Sequence, residues 1–430
     1  MSIAVSLAEA TRTWERVALL SFGGPAGQIA VMHRLLVEEK RWISEERFLH
    51  ALNFCMLLPG PEAQQLATYI GWLMHGTRGG LIAGTLFVLP GFIAIMAFSI
   101  VYVTWGTSPL VAGVFLGLKA AVVALIIEAI IRIGRRALRT GLAMSIAVLA
   151  FLALFLFHAP FPLIVVTAGV VGYITTRKGA TASEEPHARV ATPKSRVLRI
   201  LAIWLTLWFA PLIVIALLVG TQHVFANVGF FFSKMAVVTF GGAYAVLAYV
   251  AQQAVQHYRW LTPTQMLDGL GLAETTPGPL ILVVQFVAFL AAYLTPGIQY
   301  PLLAGIFAAC LAVWVTFVPC FLWIFLGAPY VEALRRNSAL SDALAAITAA
   351  VVGVVANLAV WFALHAIFAS VRPIAIFGPL SIDIPDLATV RWPLLLLIGL
   401  ACLMTFALKW SMARTLSVAV ASGVGYSVFS

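Results

Sequence analysis

The chain has 430 residues, of which 62% are hydrophobic and only 10% are charged, and its formal net charge is +10. Soluble domains carry about 25% charged residues, so this composition excludes a protein whose surface is wetted on all sides. Apolar stretches as long as a bilayer is thick recur along the chain, without the short alternating segments of a β-barrel. The sequence therefore predicts an all-α polytopic membrane protein.

Six apolar segments of the first half are predicted to span the membrane, near residues 17–35, 48–75, 79–104, 110–133, 141–157 and 160–176. The polar stretch 177–197 is predicted to be a cytoplasmic linker, and 198–219 a connecting transmembrane helix. Six more spans are predicted near 225–250, 264–290, 300–326, 339–368, 391–408 and 412–428, giving about thirteen in total. The chain is thus divided into an N-terminal unit, 1–176, and a C-terminal unit, 220–430.

The two units carry the same motifs. A shift of 218 positions superimposes Phe22-Gly23-Gly24 on Phe240-Gly241-Gly242, Arg41-Trp42 on Arg259-Trp260, and Pro59-Gly60-Pro61 on Pro277-Gly278-Pro279. A shift of 229 superimposes the AAVV sequence at 120–123 on that at 349–352. Because a constant offset is kept across separate motifs, we interpret the chain as an internal duplication.

Basic residues orient the two units in the membrane. Four basic clusters are assigned to the cytoplasm by the positive-inside rule: 132–139, 177–178, 335–336 and 409–414. The N-terminus is then cytoplasmic and the C-terminus periplasmic. The loop before 110–133 lies outside, whereas its counterpart before 339–368 lies inside, so the repeats are predicted to be inverted.

One loop resists this scheme. The segment 38–47 would lie outside despite Lys40, Arg41 and Arg47. The scheme weakens if the PGP segments re-enter the membrane instead of spanning it, and the sequence leaves that choice open.

Inverted repeats with broken helices are typical of transporters that bind substrate near the membrane midplane. A Pro-Gly-Pro sequence breaks a helix, and backbone freed inside a bilayer must be buried in protein or line a cavity. The helix that starts after a break offers free N–H groups and a dipole to an anion. The predicted substrate-binding residues are those of the breaks: Phe22, Gly23, Gly24, Pro59, Gly60, Pro61, Phe240, Gly241, Gly242, Thr276, Pro277, Gly278 and Pro279. The alternatives are packing kinks at PGP and close helix packing at the glycines.

Ionisable residues within apolar segments complete the predicted site. Lys119 is predicted to neutralise a bound dianion, with an ion pair to Glu128 or Glu62 as the alternative. Glu62 and Glu274 flank the two PGP breaks and are predicted to carry a coupled proton. The sequence leaves the sign of coupling open, and antiport is the version adopted. The supporting residues are Gln64, Gln285, Arg16 and Lys234, of which the last two are equally explained by snorkelling to the interface.

Several functions are excluded by what the sequence lacks. It has no phosphate-binding GxxxxGK[ST] loop, no HExxH motif, and no Cys/His set at metal-ligand spacing, so neither an enzyme, a cofactor nor a metal is expected. The basic loops indicate contact with the lipid bilayer, not with nucleic acid. The cysteines form no CxxC pair and are expected to be free, buried thiols: Cys55, Cys310, Cys320 and Cys402.

At these motifs the chain resembles the chromate ion transporter family, in its long, two-domain members. The motifs are LSFGGPAGQIAVMH, LLPGPEAQQLATYIGW, LFVLPG and GLKAAVVALI, then VTFGGAYAVLAYV and AETTPGPLILVVQFVAF. The resemblance implies export of chromate across the bacterial inner membrane, giving chromate resistance. Chromate or the similar sulfate would be the partner and protons the coupling ion. Transport of sulfate or another oxyanion, and a passive anion channel, are the alternatives; a homodimer is left open.

Overall fold

The computed structural model describes residues 5–175, 193–238, 240, 243–330, 338–377 and 380–429. Most of these residues form sixteen helices: α1 (Leu7–Leu20), α2 (Gly24–His33), α3 (Glu45–Cys55), α4 (Glu62–Trp105), α5 (Pro109–Ala137), α6 (Gly141–Phe157), α7 (Phe161–Ile174), α8 (Lys194–Val219), α9 (Val224–Val238), α10 (Ala243–Ala251), α11 (Pro263–Thr275), α12 (Val283–Tyr293), α13 (Pro301–Gly327), α14 (Ser338–Ile367), α15 (Trp392–Cys402) and α16 (Met412–Phe429). Most of the predicted linker lies outside the described residues, as do Arg335 and Arg336.

Within the described ranges, five helices are long and apolar enough to cross a bilayer: α4, α5, α8, α13 and α14. This is the pattern of a polytopic helical membrane protein. Most of the other helices have 9–17 residues, fewer than the roughly 20 that one straight crossing takes. The thirteen predicted spans therefore stay a prediction.

Helix α4 folds back on itself at His75 and Gly76, whose backbone is not helical. In a straight helix, eight residues rise about 12 Å. Gly71 nevertheless packs so closely on Gly79 that a side chain on either would collide with the carbonyl oxygen of the other. The first part of α4 and its long second part are therefore two helices joined by a tight turn.

Two short helix pairs double back at the Phe-Gly-Gly motifs. A π-helical turn, Arg34–Glu39, continues α2. Lys40, which follows this turn, places its Nζ 3.0 Å from Glu9 Oε1, so the chain has returned to the start of α1. In the second half, the rings of Phe231 in α9 and Tyr249 in α10 lie 5.5 Å apart. Phe231 and Tyr249 are 18 positions apart in the sequence, and a straight helix would separate them by roughly 27 Å. The chain thus reverses near Phe22 and again near Phe240.

Two more pairs double back at the Pro-Gly-Pro motifs. The rings of Phe54 in α3 and Tyr69 in α4 lie 5.2 Å apart across the first motif. Across the second, Gly269 in α11 packs against the ring of Phe286 in α12 with no room for a side chain. Each motif is therefore the tip of a helical hairpin.

Local backbone structures recur at the 218-residue offset. Arg41 and Arg259 have left-handed φ values of 52° and 54°, each following one π-helical turn, Arg34–Glu39 or Gln252–His257. The equivalence of the motifs thus extends from residue identity to backbone conformation.

The fold is mostly helical, as predicted, but it also contains one short β-hairpin that the sequence analysis did not predict. A two-stranded antiparallel hairpin, β1 (Val371–Phe377) and β2 (Leu380–Pro385), lies between α14 and α15. In β2, apolar residues at 380, 382 and 384 alternate with Ser381 and Asp383, the period of a strand. This alternation in the sequence could have predicted the strand.

All four cysteines are free. Cys55 and Cys320 are buried as expected, whereas Cys310 is exposed on α13 and Cys402 is half-buried. The prediction of uniformly buried thiols is therefore wrong for Cys310. A thiol facing outward from an apolar helix is tolerated, because a free Cys behaves as a small hydrophobe.

Candidate functional site

A small cavity lies where three of the four hairpin tips meet. It is lined by residues at the start of α2, at the start of α4, and at the 3-10 turn that leads into α12: Pro25, Gln28, Pro61, Glu62, Ala63, Pro279, Leu280 and Ile281. The first turn of an α-helix exposes N–H groups that precede the first intrahelical bond. In α4 that bond runs from the Gln65 N–H to the Pro61 carbonyl at 3.0 Å. The cavity therefore lies at the positive ends of helices.

Direct hydrogen bonds join the tips of the two halves. The Gly278 N–H donates to the Ser21 carbonyl at 2.8 Å. The Gln28 amide donates to the Gly278 carbonyl at 2.6 Å, and its side chain is buried. Both backbone groups of Gly278 are thus held by the first Phe-Gly-Gly hairpin. Sequence reasoning missed Ser21 and Gln28, although a glutamine in a short apolar helix was a signal.

The central glycines of the PGP motifs adopt backbone conformations that favour glycine. Gly60 has φ +120°, and a Cβ there would lie 2.9 Å from Cys320 Sγ and 2.8 Å from Gln65 Nε2. Gly278 has φ +95°, and a Cβ there would lie 3.3 Å from the Phe87 carbonyl oxygen. Both tips are pressed against long helices, α13 for Gly60 and α4 for Gly278, so neither tip has space for a side chain.

Glu62 brings a carboxylate to the cavity wall. Among the described residues it has no salt-bridge partner within 4.0 Å. An anion in the cavity and a charged Glu62 would repel each other strongly in an apolar environment. Binding of an anion and the charge state of Glu62 are therefore linked.

Glu274 lies near the same centre but does not line the cavity. It is buried, and its Oε1 accepts a hydrogen bond from the Tyr244 hydroxyl at 2.8 Å. That hydroxyl lies beside Gly24, 3.8 Å from where a Cβ would be. The second acidic residue is thus placed at the start of α2. Thr276 is buried too, and its hydroxyl donates to the Ala273 carbonyl of its own helix.

Three buried glutamines surround the tips. Gln65 donates to the Pro59 carbonyl at 2.7 Å, Gln64 to the Thr68 hydroxyl at 3.1 Å, and Gln285 to the Phe92 carbonyl at 2.9 Å. The side-chain carbonyl oxygen of each has no hydrogen-bond partner among the described residues. Gln64 and Gln285, the two supporting glutamines that the sequence indicated, therefore donate to groups of the long helix α4 and do not line the cavity.

Lys119 does not line the cavity. Its Nζ lies 3.2 Å from Asp268 Oδ1, so it forms an ion pair, but not with Glu128 or Glu62 as the sequence alternative had it. Glu128 instead pairs with Arg132, one turn along α5. The partner was missed because Asp268 lies in another part of the chain.

The remaining predicted residues lie at the periphery or outside the described ranges. Arg16 is exposed and pairs with Glu39 at 3.4 Å, and Lys234 is also exposed, which favours the snorkelling interpretation for both. Phe22 is exposed, Phe240 packs on the apolar core, and Gly23 faces Met412. Gly241 and Gly242 lie outside the described residues.

Comparisons with known proteins agree with one another. The family model described as "Chromate transporter" matches residues 8–173 and 226–426. Over 349 residues the chain is 34% identical to the chromate transport protein of Pseudomonas aeruginosa, covering 79% of this chain and 77% of that one.

Two further relatives match at similar coverage. The chromate transport protein of Cupriavidus metallidurans is 29% identical over 343 residues, 79% of this chain and 78% of the relative. The probable chromate transport protein of Synechococcus elongatus is 27% identical over 354 residues, which are 82% of this chain and 84% of the relative. No solved structure matches the chain significantly.

Proposed function

The chain belongs to the chromate transporter family, and we propose that it is a secondary active transporter that exports chromate across the bacterial inner membrane and so gives chromate resistance. It is a transporter and not an enzyme. The observation that carries the proposal is the cavity at the starts of α2, α4 and the turn into α12. Its walls come from both halves of the chain, as a midplane substrate site requires.

The cavity suits a compact dianion in charge, but its space is about that of one water molecule in this conformation, so the hairpin tips must part to admit the anion. Each helix start is equivalent to roughly half a positive charge, so three starts offer about one and a half charges without any fixed cation. A fixed cation would hold a dianion tightly, whereas dipoles allow release. Sulfate has the same charge and tetrahedral shape as chromate, and we expect it to compete for the site.

Uptake of chromate into inside-out membrane vesicles tests the transported ion. Vesicles that contain the protein should accumulate chromate above vesicles that lack it, and excess sulfate should reduce that uptake. The proton gradient should be imposed in one series and collapsed in another. Uptake equal to that of vesicles without the protein would contradict chromate export.

We infer that the repeats, 1–176 and 220–430, are inverted, and that the linker at 177–197 and helix α8 join them. Recurrence of the same backbone conformations at a constant offset and the match of the family model to two stretches support the duplication, and the positive-inside rule supports the inversion. If the four hairpins re-enter from opposite faces, loop 38–47 returns to the cytoplasm. Lys40, Arg41 and Arg47 then obey the positive-inside rule that they break in the thirteen-span version.

Labelling from one side of the membrane distinguishes these versions. Glu46 is suited to it because its side chain is 85% exposed. A cysteine in Glu46→Cys should react with an impermeant maleimide only from the cytoplasmic side if the hairpins re-enter. Labelling from the periplasm would restore the thirteen-span version. The four native cysteines are first replaced by serine or alanine.

Reporter fusions test the rest of the proposed topology. Tags after residues 186 and 337 should be cytoplasmic, whereas tags between Thr107 and Ser108 and at the C-terminus should be periplasmic. A cytoplasmic C-terminus would contradict an odd number of crossings and with it the inverted arrangement.

A passive anion channel is the second candidate, and the thermodynamics of a dianion favours it. The membrane potential acts on each charge with about 2.3 kcal/mol per 100 mV, so a dianion gains about 4.6 kcal/mol per 100 mV on leaving an interior-negative cell. Export thus needs no proton. The observation that favours proton coupling is the carboxylate of Glu62 in the cavity, with Glu274 beside the start of α2 as the second carrier. We propose that these residues couple transport to a proton. Repulsion between a charged Glu62 and the anion makes proton and anion bind together, which suits symport and not the antiport adopted from the sequence, because Lys119 pairs with Asp268 and not with Glu62.

A further inference from the structure

A buried ion pair lies outside the cavity and is not used by the site described above. Lys119 on α5 and Asp268 on α11 approach to 3.2 Å, with side chains 16% and 3% exposed. The Tyr102 hydroxyl on α4 donates to the other carboxylate oxygen, Oδ2, at 3.0 Å. Charged groups are costly inside a membrane, so a buried pair such as this one calls for a functional explanation.

The partners of Asp268 are those that a bound oxyanion would have. One carboxylate oxygen faces an ammonium group and the other accepts from a neutral hydroxyl. Both donors come from the first half of the chain, Lys119 from α5 and Tyr102 from α4, whereas Asp268 belongs to the second half. The carboxylate therefore occupies an anion site that the other half provides.

Asp268 lies on the hairpin formed by α11 and α12, whose tip contributes Pro279, Leu280 and Ile281 to the cavity wall. Asp268 precedes the end of α11 at Thr275 by seven residues, roughly 10 Å along the axis, and the second PGP tip follows. The ring of Tyr102 packs edge-on against Phe286 at 5.2 Å and against Phe115 at 4.8 Å. Phe286 lies in α12, and the 3-10 turn that leads into this helix lines the cavity. Asp268 of the pair and part of the cavity wall thus belong to the same helical hairpin.

We propose that Lys119 and Tyr102 form a second binding station for the transported oxyanion, which the Asp268 carboxylate occupies in this conformation and vacates as the anion passes. The proposal rests on the proposed function and adds a step to the same path. A lone ammonium in an apolar environment would trap a dianion. Competition by Asp268 keeps the station weak enough for release, as conduction requires.

The first test is Asp268→Asn, which removes the competing charge and keeps the shape of the side chain. Chromate should then be held more tightly and released more slowly. The chromate concentration for half-maximal uptake should fall about tenfold, and the maximal rate should fall by a similar factor. A half-saturating concentration that is unchanged or raised would overturn the proposal.

The second test removes both charges with Lys119→Met and Asp268→Asn together. A purely structural pair should be replaceable by this neutral pair, with normal abundance and normal transport. The station predicts normal abundance but a loss of most chromate uptake. Uptake at the wild-type rate would overturn it. Lys119→Arg keeps the charge and should retain part of the transport.

A surface pair of the same geometry is the matched control. Lys40 and Glu9 approach to 3.0 Å, but their side chains are 39% and 50% exposed, and Lys40→Met with Glu9→Gln should leave uptake unchanged. Wild-type protein that moves no chromate would contradict the proposed function itself. If the wild type transports chromate and the Asp268 variants take it up as the wild type does, only the second station is contradicted.

Discussion

Replacing Gly60 by leucine is expected to lower chromate transport by at least about a hundredfold, because the substitution acts on the cavity wall in two ways. A side chain at φ +120° strains the backbone, which costs on the order of 1–3 kcal/mol. Its Cβ would also lie within 3 Å of Cys320 and Gln65. The tip would have to shift, and the first turn of α4 at Glu62 would shift with it.

Chromate resistance of cells and uptake into vesicles measure this effect, with membrane abundance measured in parallel. Gly141→Leu is the matched control, because Gly141 starts α6 with an ordinary φ and no atom lies within 4 Å of where its Cβ would be. It should transport normally. Gly278→Leu should behave like Gly60→Leu. Normal transport by Gly60→Leu would reduce the first PGP motif to a packing feature.

Glu62→Gln is expected to abolish the response of transport to a pH gradient while chromate exchange continues. The amide keeps the size and polarity of the side chain at the cavity wall but has no proton to exchange. Without the repulsion between a charged Glu62 and the anion, the binding of the proton and the binding of the anion are no longer linked. Gradient-driven uptake should fall to the level measured without a gradient, a loss of roughly tenfold or more.

Vesicles with an imposed pH gradient and no membrane potential measure this coupling. Glu46→Gln is the control, because Glu46 is also a glutamate at the start of a helix but is exposed to solvent. Its response should match that of the wild type. If gradient-driven accumulation survives in Glu62→Gln, and also in the double variant with Glu274→Gln, neither residue carries the proton and the channel is favoured.

The breaks at the core of the site could be predicted from the sequence, but the path of the chain through them could not. A Pro-Gly-Pro motif shows that a helix ends, because proline removes a donor and clashes with the preceding turn. It does not show in which direction the next helix runs. Phe54 and Tyr69 meet because the chain reverses there. Lys40, Arg41 and Arg47, which did not fit the thirteen-span scheme, follow the earlier reversal near Phe22, which the predicted span 17–35 had crossed without a break.

Residues that act through distant partners were harder to find. Gln28 binds Gly278, 250 positions away, and Lys119 binds Asp268, 149 positions away, and no local pattern encodes either pairing. The rule that singles out intramembrane charges selected Lys119 and would equally have selected Asp268. Gly60 and Gly278 were found because their motif occurs twice.

The most direct test of chromate transport through the cavity uses purified protein in liposomes. Chromate is trapped inside, and a potassium gradient with valinomycin sets an interior-negative potential. Wild-type protein should release chromate in proportion to that potential, sulfate trapped with it should slow the release, and Gly60→Leu should release no more than protein-free liposomes. Wild-type liposomes that retain chromate as protein-free liposomes do, or Gly60→Leu liposomes that release it at the wild-type rate, would contradict transport through this cavity.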